Sequence, residues 1–342
     1  NEFCETVYFP YLLADKLYMK NKKYLPKFQN INKKLLKFLE NEEECESCLE
    51  KFTKYFIDQK ITSNKLIFQD FLGLFLSIAN NHQQSSTFIQ NVYLLLNSIK
   101  NDIKQNFTNE ETINIFKDNK LLLLHLIEEK VIIVDNIFIS ILDSDIKFKC
   151  HSYYEYFAPE IFLYYTDKTI DQKQTYSEIF KKNRKIGQND NYICQLIQND
   201  SVEEFIAYVN RANLSLTTTI ERSIFETNNF LLKNNPTLIE YSAFYGSIQI
   251  FTYLRQNKVE LPPSLWLYAI HSKNPELIHI LEEFDVKPEI NYCTSYELCY
   301  NEAIKCHHNE FALYIQDKYL ENKKYSAYRL RKKWDNPDLY NP

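Results

Sequence analysis

Three glycines in 342 residues are the strongest constraint on how this chain folds. Tight β-hairpins and phosphate-cradling loops draw on glycine's access to positive φ. Helices joined by Asn- and Asp-rich turns need far less of it, because Asn and Asp also visit the left-handed region. The chain is therefore expected to be all-α. Hydrophobic residues make up 45% of it, enough to bury a large core, and Tyr (26) and Phe (24) supply much of the bulk. The excess of Asn, Ile, Lys, Tyr and Phe is also what an A- and T-rich genome produces, so single residues of these types carry little functional weight.

Apolar positions recur at helical spacing through the first half: Ile31, Leu35, Leu36 and Leu39; Phe71, Leu74, Phe75 and Ile78; Val92, Leu95, Leu96 and Ile99. Polar clusters such as NNHQQSS (80–86) connect them. The β-branched run VIIVDNIFISIL (131–142) fits a strand or a buried helix, and the helix is preferred because helical pairs surround it. SYYEYFAPEIF (152–162) reads as an aromatic plug against the last helix of this half. Apolar density falls between Tyr165 and Asn191. The expected organisation is a divergent helical domain over 1–165, a linker over 166–189, a repeat region over 190–320 and a basic tail over 321–342. Stacked helix pairs of this kind form a solenoid.

The repeat is visible in YSAFYGSIQIFTYL (241–254), YAIHSKNPELIHIL (268–281) and EAIKCHHNEFALYI (302–315), with Gly246, Lys273 and His307 equivalent. Their spacings of 27 and 34 residues lie in the range of helical repeats. Small residues precede each (Ser242-Ala243, Ala269, Ala303) and let a second helix approach. An apolar stripe follows: Ile250, Phe251, Tyr253 and Leu254; Leu277, Ile278, Ile280 and Leu281; Phe311, Ala312, Tyr314 and Ile315. Thr237 and Ser264 stand where a helix N-cap is needed. A weaker copy lies at CQLIQNDSVEEFIAYV (194–209), with a turn one residue longer. Trp266 takes an apolar repeat position and is expected in the core.

These residues resemble a divergent ankyrin array: Thr237, Ala243, Gly246 and the stripe in one repeat, Ser264 and Ala269 in the next, Ala303 and His308 in the third. ICQLIQNDSVEEFIAYVNR, IEYSAFYGSIQIFTYL, VELPPSLWLYAIHSKNPELIHILEE and AIKCHHNEFALYI are more closely similar to an ankyrin-like domain of unknown function expanded in trichomonad-type protist proteins. The resemblance covers roughly residues 190 to 320. It implies a helical solenoid and says little of activity. In repeat arrays the residues after the small pair line a concave face. Here they are Phe244, Tyr245, His271, Ser272, Lys305 and Cys306, the expected partner-binding row.

Metal and redox chemistry find little footing. Cys293, Cys299 and Cys306 are 6 and 7 apart, unlike the paired short spacings of zinc sites. The adjacent His307 and His308 point apart, and the stretch IKCHHNEF reads as a turn between helices with a buried cysteine. CESC (45–48) is hemmed by glutamates, which oppose thiolate formation. No nucleophile elbow, phosphate loop or His-Glu-x-x-His occurs. The pair His271-Ser272 with Glu276 nearby does not assemble a triad. The expectation is a non-catalytic chain with no cofactor and no metal.

A net charge of -5 argues against nucleic acid as the partner of the whole chain. The segment ENKKYSAYRLRKK (321–333) is the exception; its Lys323, Lys324, Arg329, Arg331, Lys332 and Lys333 would touch phosphates or serve nuclear targeting. No window is long and apolar enough to span a membrane. The chain opens on Asn1, so its start is expected upstream. No leader pattern opens it, and its eight cysteines are expected to be reduced thiols in the cytoplasm, with the nucleus as the alternative. The leading functional expectation is protein binding through the concave row, as scaffold or regulatory subunit; the alternative is nucleic-acid or chromatin association through the basic tail.

Overall fold

The computed structural model describes residues 25–41, 46–82, 85–146, 152–165, 176–290, 293–294 and 296–320. Among these residues the chain is all-helical apart from a two-residue antiparallel pair, Glu289–Ile290 with Cys293–Thr294, and one isolated bridge between Thr219 and Thr237. No helix among them is long and apolar enough to cross a membrane. The basic tail lies outside the described residues, as does Cys45 of CESC.

The first half runs α1 (Leu25–Leu39), α2 (Glu46–Asp58), α3 (Lys65–Asn81), α4 (Ser86–Asn106), α5 (Asn109–Phe116), α6 (Lys120–Glu128), α7 (Asn136–Ile146), α8 (Ser152–Tyr156) and α9 (Ala158–Tyr165). Helix α1 packs on α2, α3 and α4, and α3 also packs on α5. The periodic apolar residues of α1, α3 and α4 are buried, except Leu36, which is half-buried. Between the helices runs a ladder of phenylalanine rings, Phe38, Phe52, Phe56, Phe71 and Phe68, with Phe56 and Phe71 closest at 4.6 Å. Side-chain caps start the helices: Asn64 for α3, Ser85 for α4, and Thr108 with Glu111 as a capping box for α5.

Two expectations are corrected here. The helix expected over 131–142 begins at Asn136. Lys130 turns left-handed at φ 56°, the amides of Val131 and Ile132 bond back to the Leu126 carbonyl, and Asp135 accepts from the Phe138 amide to cap α7. The β-branched residues 131 and 132 are buried as a turn rather than a helix. The expected linker also contains structure. Its first part, up to residue 175, lies outside the described residues, but Glu178–Ile186 forms α10, capped by Ser177 and ended by Gly187 at φ 69°. Arg184 of α10 is buried, bonds the Tyr156 carbonyl at 2.8 Å and pairs with both oxygens of Glu160 at 2.7 and 2.9 Å. The sequence disguises this helix because its single deep anchor is charged. The aromatic plug is as expected, with Tyr156 and Phe157 fully buried.

The second half runs α11 (Tyr192–Gln198), α12 (Val202–Ala212), α13 (Asn229–Lys233), α14 (Leu238–Tyr245), α15 (Ile248–Gln256), α16 (Leu265–Ser272), α17 (Pro275–Glu283), α18 (Tyr296–Lys305) and α19 (Asn309–Tyr319). All but α13 pair in sequence order. The first helices of successive pairs, α11, α14, α16 and α18, pack in a row. The residue between the two helices of each pair is left-handed: Asp200 (φ 50°), Gly246 (71°), Lys273 (57°) and His307 (58°). The small residues Ser242, Ala243, Ala269 and Ala303 are buried where the helices meet. Thr237 caps α14 through a capping box with Glu240. Ser264 stands at the N-cap of α16 but donates to that same Glu240 rather than to its own helix. Trp266 is fully buried and donates to the Val286 carbonyl at 2.6 Å.

Buried apolar residues fall into two clusters, one from Phe28 to Ile161 and one from Cys194 to Ile315. Polar ties run between them, and these bring the candidate site together.

Candidate functional site

The end of α3, the short α13 and the turn-proximal ends of α14, α16 and α18 meet along one seam between the halves. Helix α13 is a single turn, NFLLK, capped by Asn228, whose side chain accepts from the Phe230 and Leu231 amides. The same Asn228 donates to the His82 carbonyl at 3.3 Å, just past α3. Phe230 is thereby held against the second half. Its ring lies 4.3 Å from His271, 4.9 Å from Tyr268 and 6.0 Å from Phe244, nearly parallel to the last. The Lys305 ammonium sits 5.9 Å from its centre.

The expected partner-binding row is thus placed as follows. Phe244, His271 and Cys306 are buried, and Tyr245, Ser272 and Lys305 are half-buried. The structure does bring Phe244, His271, Lys305 and Cys306 together, and their neighbours are Phe230 and the end of α3. Tyr245 instead joins Tyr241, 4.9 Å away, and Ser272 donates to the Ala269 carbonyl.

Around His271 the charges are closely matched. Its Nε2 lies 2.8 Å from Glu302 Oε1, which also takes the Lys305 ammonium at 2.6 Å. The Cys306 sulfur is 3.4 Å from Nδ1, and the Asn81 backbone carbonyl faces the ring. Burial opposes ionisation of Glu302, but the bonds from His271 and the charge of Lys305 outweigh it and hold the carboxyl at about 2. Burial pulls the His271 pKa below its ordinary value against the pull of Glu302. Burial, with Glu302 adding to it, pushes the Cys306 thiol well up.

His271, Glu302 and Cys306 place a nitrogen, an oxygen and a sulfur within 4.8 Å of one another. The Lys305 ammonium already contacts the carboxylate, and the three groups bond to one another. The trio is therefore a closed hydrogen-bonded cluster. Cys306, which the sequence grouped with Cys293, Cys299 and the adjacent histidines, meets His271 and Glu302 instead.

The two histidines of the turn do not point apart as expected: both approach the His82 ring of the first half. His308 sits at the N-cap of α19 and bonds the Ile270 carbonyl through Nδ1 at 2.8 Å; its ring lies edge-on to His82 at 5.1 Å. His307 is buried, 6.5 Å from His82, and among the described residues neither of its ring nitrogens has a hydrogen-bond partner. His82 stacks flat on Phe88 at 5.5 Å and bonds Glu40 Oε1 at 2.9 Å. Lys273 reaches the same Glu40 oxygen at 2.6 Å from the opposite half. Burial resists ionisation of Glu40, yet His82 and Lys273 together hold it at about 2. Burial drives His307 down to about 3, with His82 adding and Glu40 opposing; burial, His82 and Lys273 drive His308 well below the ordinary histidine range.

Sequence reasoning missed Glu40, His82, Phe230 and Glu302. Phe230 carried a readable signal: NNFLLKNN is a short apolar island between asparagines, too brief for a core helix and too apolar for a loop. His82 carried none, since it sits in the polar cluster 80–86. Comparison with protein-family models, with curated proteins and with solved structures finds no match to this chain.

Proposed function

We propose that the chain is a non-catalytic protein-binding module, an ankyrin-like helical solenoid in its second half whose concave row grips helical polypeptide. One observation carries the reading. The row around Phe244, His271 and Lys305 clasps a short helical segment by an aromatic anchor, Phe230, stacked among rings with a cation over it. Central aromatic anchors in desolvated pockets dominate protein interfaces. Here the occupant is the chain's own α13, which makes the second half a receptor with its ligand supplied in cis. The regular left-handed turns at Asp200, Gly246, Lys273 and His307, and the packed row α11, α14, α16 and α18, favour a repeat array.

A labelled peptide spanning residues 224–236 tests this directly. Phe230→Ala in the full chain weakens the cis segment's hold, so the variant is expected to bind the peptide while the parent binds at least tenfold more weakly. The helical signal of the variant is checked by circular dichroism. A folded variant that ignores the peptide overturns the reading. Co-purification from native cells followed by mass spectrometry, comparing parent and variant, then identifies the partner that takes the same place.

A further inference from the structure

Four of the chain's seven histidines, His82, His271, His307 and His308, lie on the seam, and all are buried. The charged groups that face them are few and already engaged. From the end of α1 comes Glu40, whose Oε1 takes both His82 and Lys273. From α18 comes Glu302, whose Oε1 takes both His271 and Lys305. Lys273 comes from the turn after α16, and the thiol of Cys306 is neutral. The groups that touch the seam from α13 and α4, Phe230 and Phe88, are apolar. Among the described residues, a proton added to His307 or His308 would therefore have no unengaged carboxylate to meet. It would sit near Lys273 and the other imidazoles, on rings that are buried.

We propose that the seam is an acid-released latch: protonation of His307 and His308 separates the two helical halves and uncovers the row that holds Phe230. The physical reason is an asymmetry between closed and open states. Closed, His307 is packed with both nitrogens bare and His308 has one nitrogen committed to the Ile270 carbonyl. Open, both rings reach water and take up protons near the ordinary histidine value. The halves have separate apolar cores, so they can part without either core dissolving. The contacts that would break at the seam are the Asn228 bond to the His82 carbonyl, the Lys273 pair with Glu40 and the approach of His307 and His308 to the His82 ring. This inference rests on the seam's geometry, and opening is measured without any partner, so it stands or falls separately from the peptide-gripping reading.

Hydrogen exchange on the full chain, corrected for intrinsic rates, reads the latch. Each histidine whose protonation is confined to the open state multiplies the opening equilibrium by about 10 between pH 7.5 and 5.5, so two multiply it by about 100. Protection is expected to fall by that factor in Leu265–Ser272, Tyr296–Lys305 and the last turns of Lys65–Asn81, while α5 and α6 keep theirs. His307→Asn retains a residue suited to the left-handed turn and is expected to cut the factor to about 10. His308→Gln is expected to do the same, and serves if the first variant misfolds. A uniform loss of protection across both halves, no loss at all, or a parent-like acid response in the folded variants would each overturn the latch.

Discussion

Glu226 shows how a single side chain can set a pH limit on this fold. It is buried, and its Oε1 accepts from the Thr227 and Asn228 amides at 2.9 and 2.8 Å. Burial nevertheless outweighs those bonds, and the nearby Lys120, and raises the carboxyl to about 7. An unfolded glutamate ionises near the ordinary value, so between that value and 7 the folded state holds a proton that the unfolded state has lost. Stability from this site is present at low pH and is lost as pH rises towards 7. Glu226→Gln keeps an acceptor at Oε1 and cannot ionise. It is expected to stabilise the chain at pH 8 by roughly 2–3 kcal/mol and by far less at pH 5, measured by urea unfolding at the two values. An equal effect at both would show that the carboxyl is not the cause. His271, His307 and His308 set the opposite limit, because burial depresses their folded-state values and their contribution fades as pH falls below the free histidine range.

At the scale of the helix, one closing device recurs. Lys130, Asp200, Asn213, Gly246, Lys258, Asp285 and His307 all take positive φ after a helix. In each case the next amide bonds to the carbonyl five residues back: Val131 to Leu126, Ser201 to Leu196, Leu214 to Val209, Ser247 to Ser242, Val259 to Leu254, Val286 to Leu281 and His308 to Ala303. This is the Schellman geometry, usually built on glycine. Scarce glycine forces Lys, Asp, Asn and His into a region that strains an L side chain. Lys258 is exposed, so Lys258→Gly is expected to stabilise the chain by about 0.5–1 kcal/mol, the relief of strain exceeding the added freedom of the unfolded chain. A lower thermal midpoint for that variant would contradict it. Gly187 is a true requirement, since a Cβ there would come within 2.8 Å of Thr227 Oγ1, which donates to the Gly187 carbonyl.

For the whole molecule, two apolar cores are joined by a few strong polar ties. Lys120 is buried and donates to the Ile224 carbonyl at 2.5 Å, Asn228 reaches the His82 carbonyl, and Lys273 pairs with Glu40 across 233 residues of sequence. Arg184 is the best placed of these ties, with a bidentate bond to Glu160 and a third bond to Tyr156. Arg184→Ala leaves Glu160 half-buried without its partner, a change that costs about 3–5 kcal/mol when both charges are sequestered. Urea unfolding followed by circular dichroism is expected to show that loss. A loss below about 1 kcal/mol would mean the pair is solvated like a surface bridge. The acid latch belongs to this scale as well, since only an interface made of polar ties is open to titration.

Much of the helical plan was legible beforehand. The periodic apolar sets, the cap residue Thr237, and the equivalence of Gly246, Lys273 and His307 all follow from short-range rules, because helix pitch and turn sterics act within a few residues. Those rules also place a turn between helices at IKCHHNEF. Other features depended on contacts between distant residues. α10 is defined by a buried arginine whose partner lies 24 residues earlier, and local hydrophobicity cannot register it. The row expected to face a partner is covered from within the chain, because Phe230 and the end of α3 arrive there from elsewhere. The sequence by itself determined the rods, their turns and their apolar faces. Tertiary packing decided which face is covered and which histidines lose water, because burial and charge pairing exist only once remote segments meet.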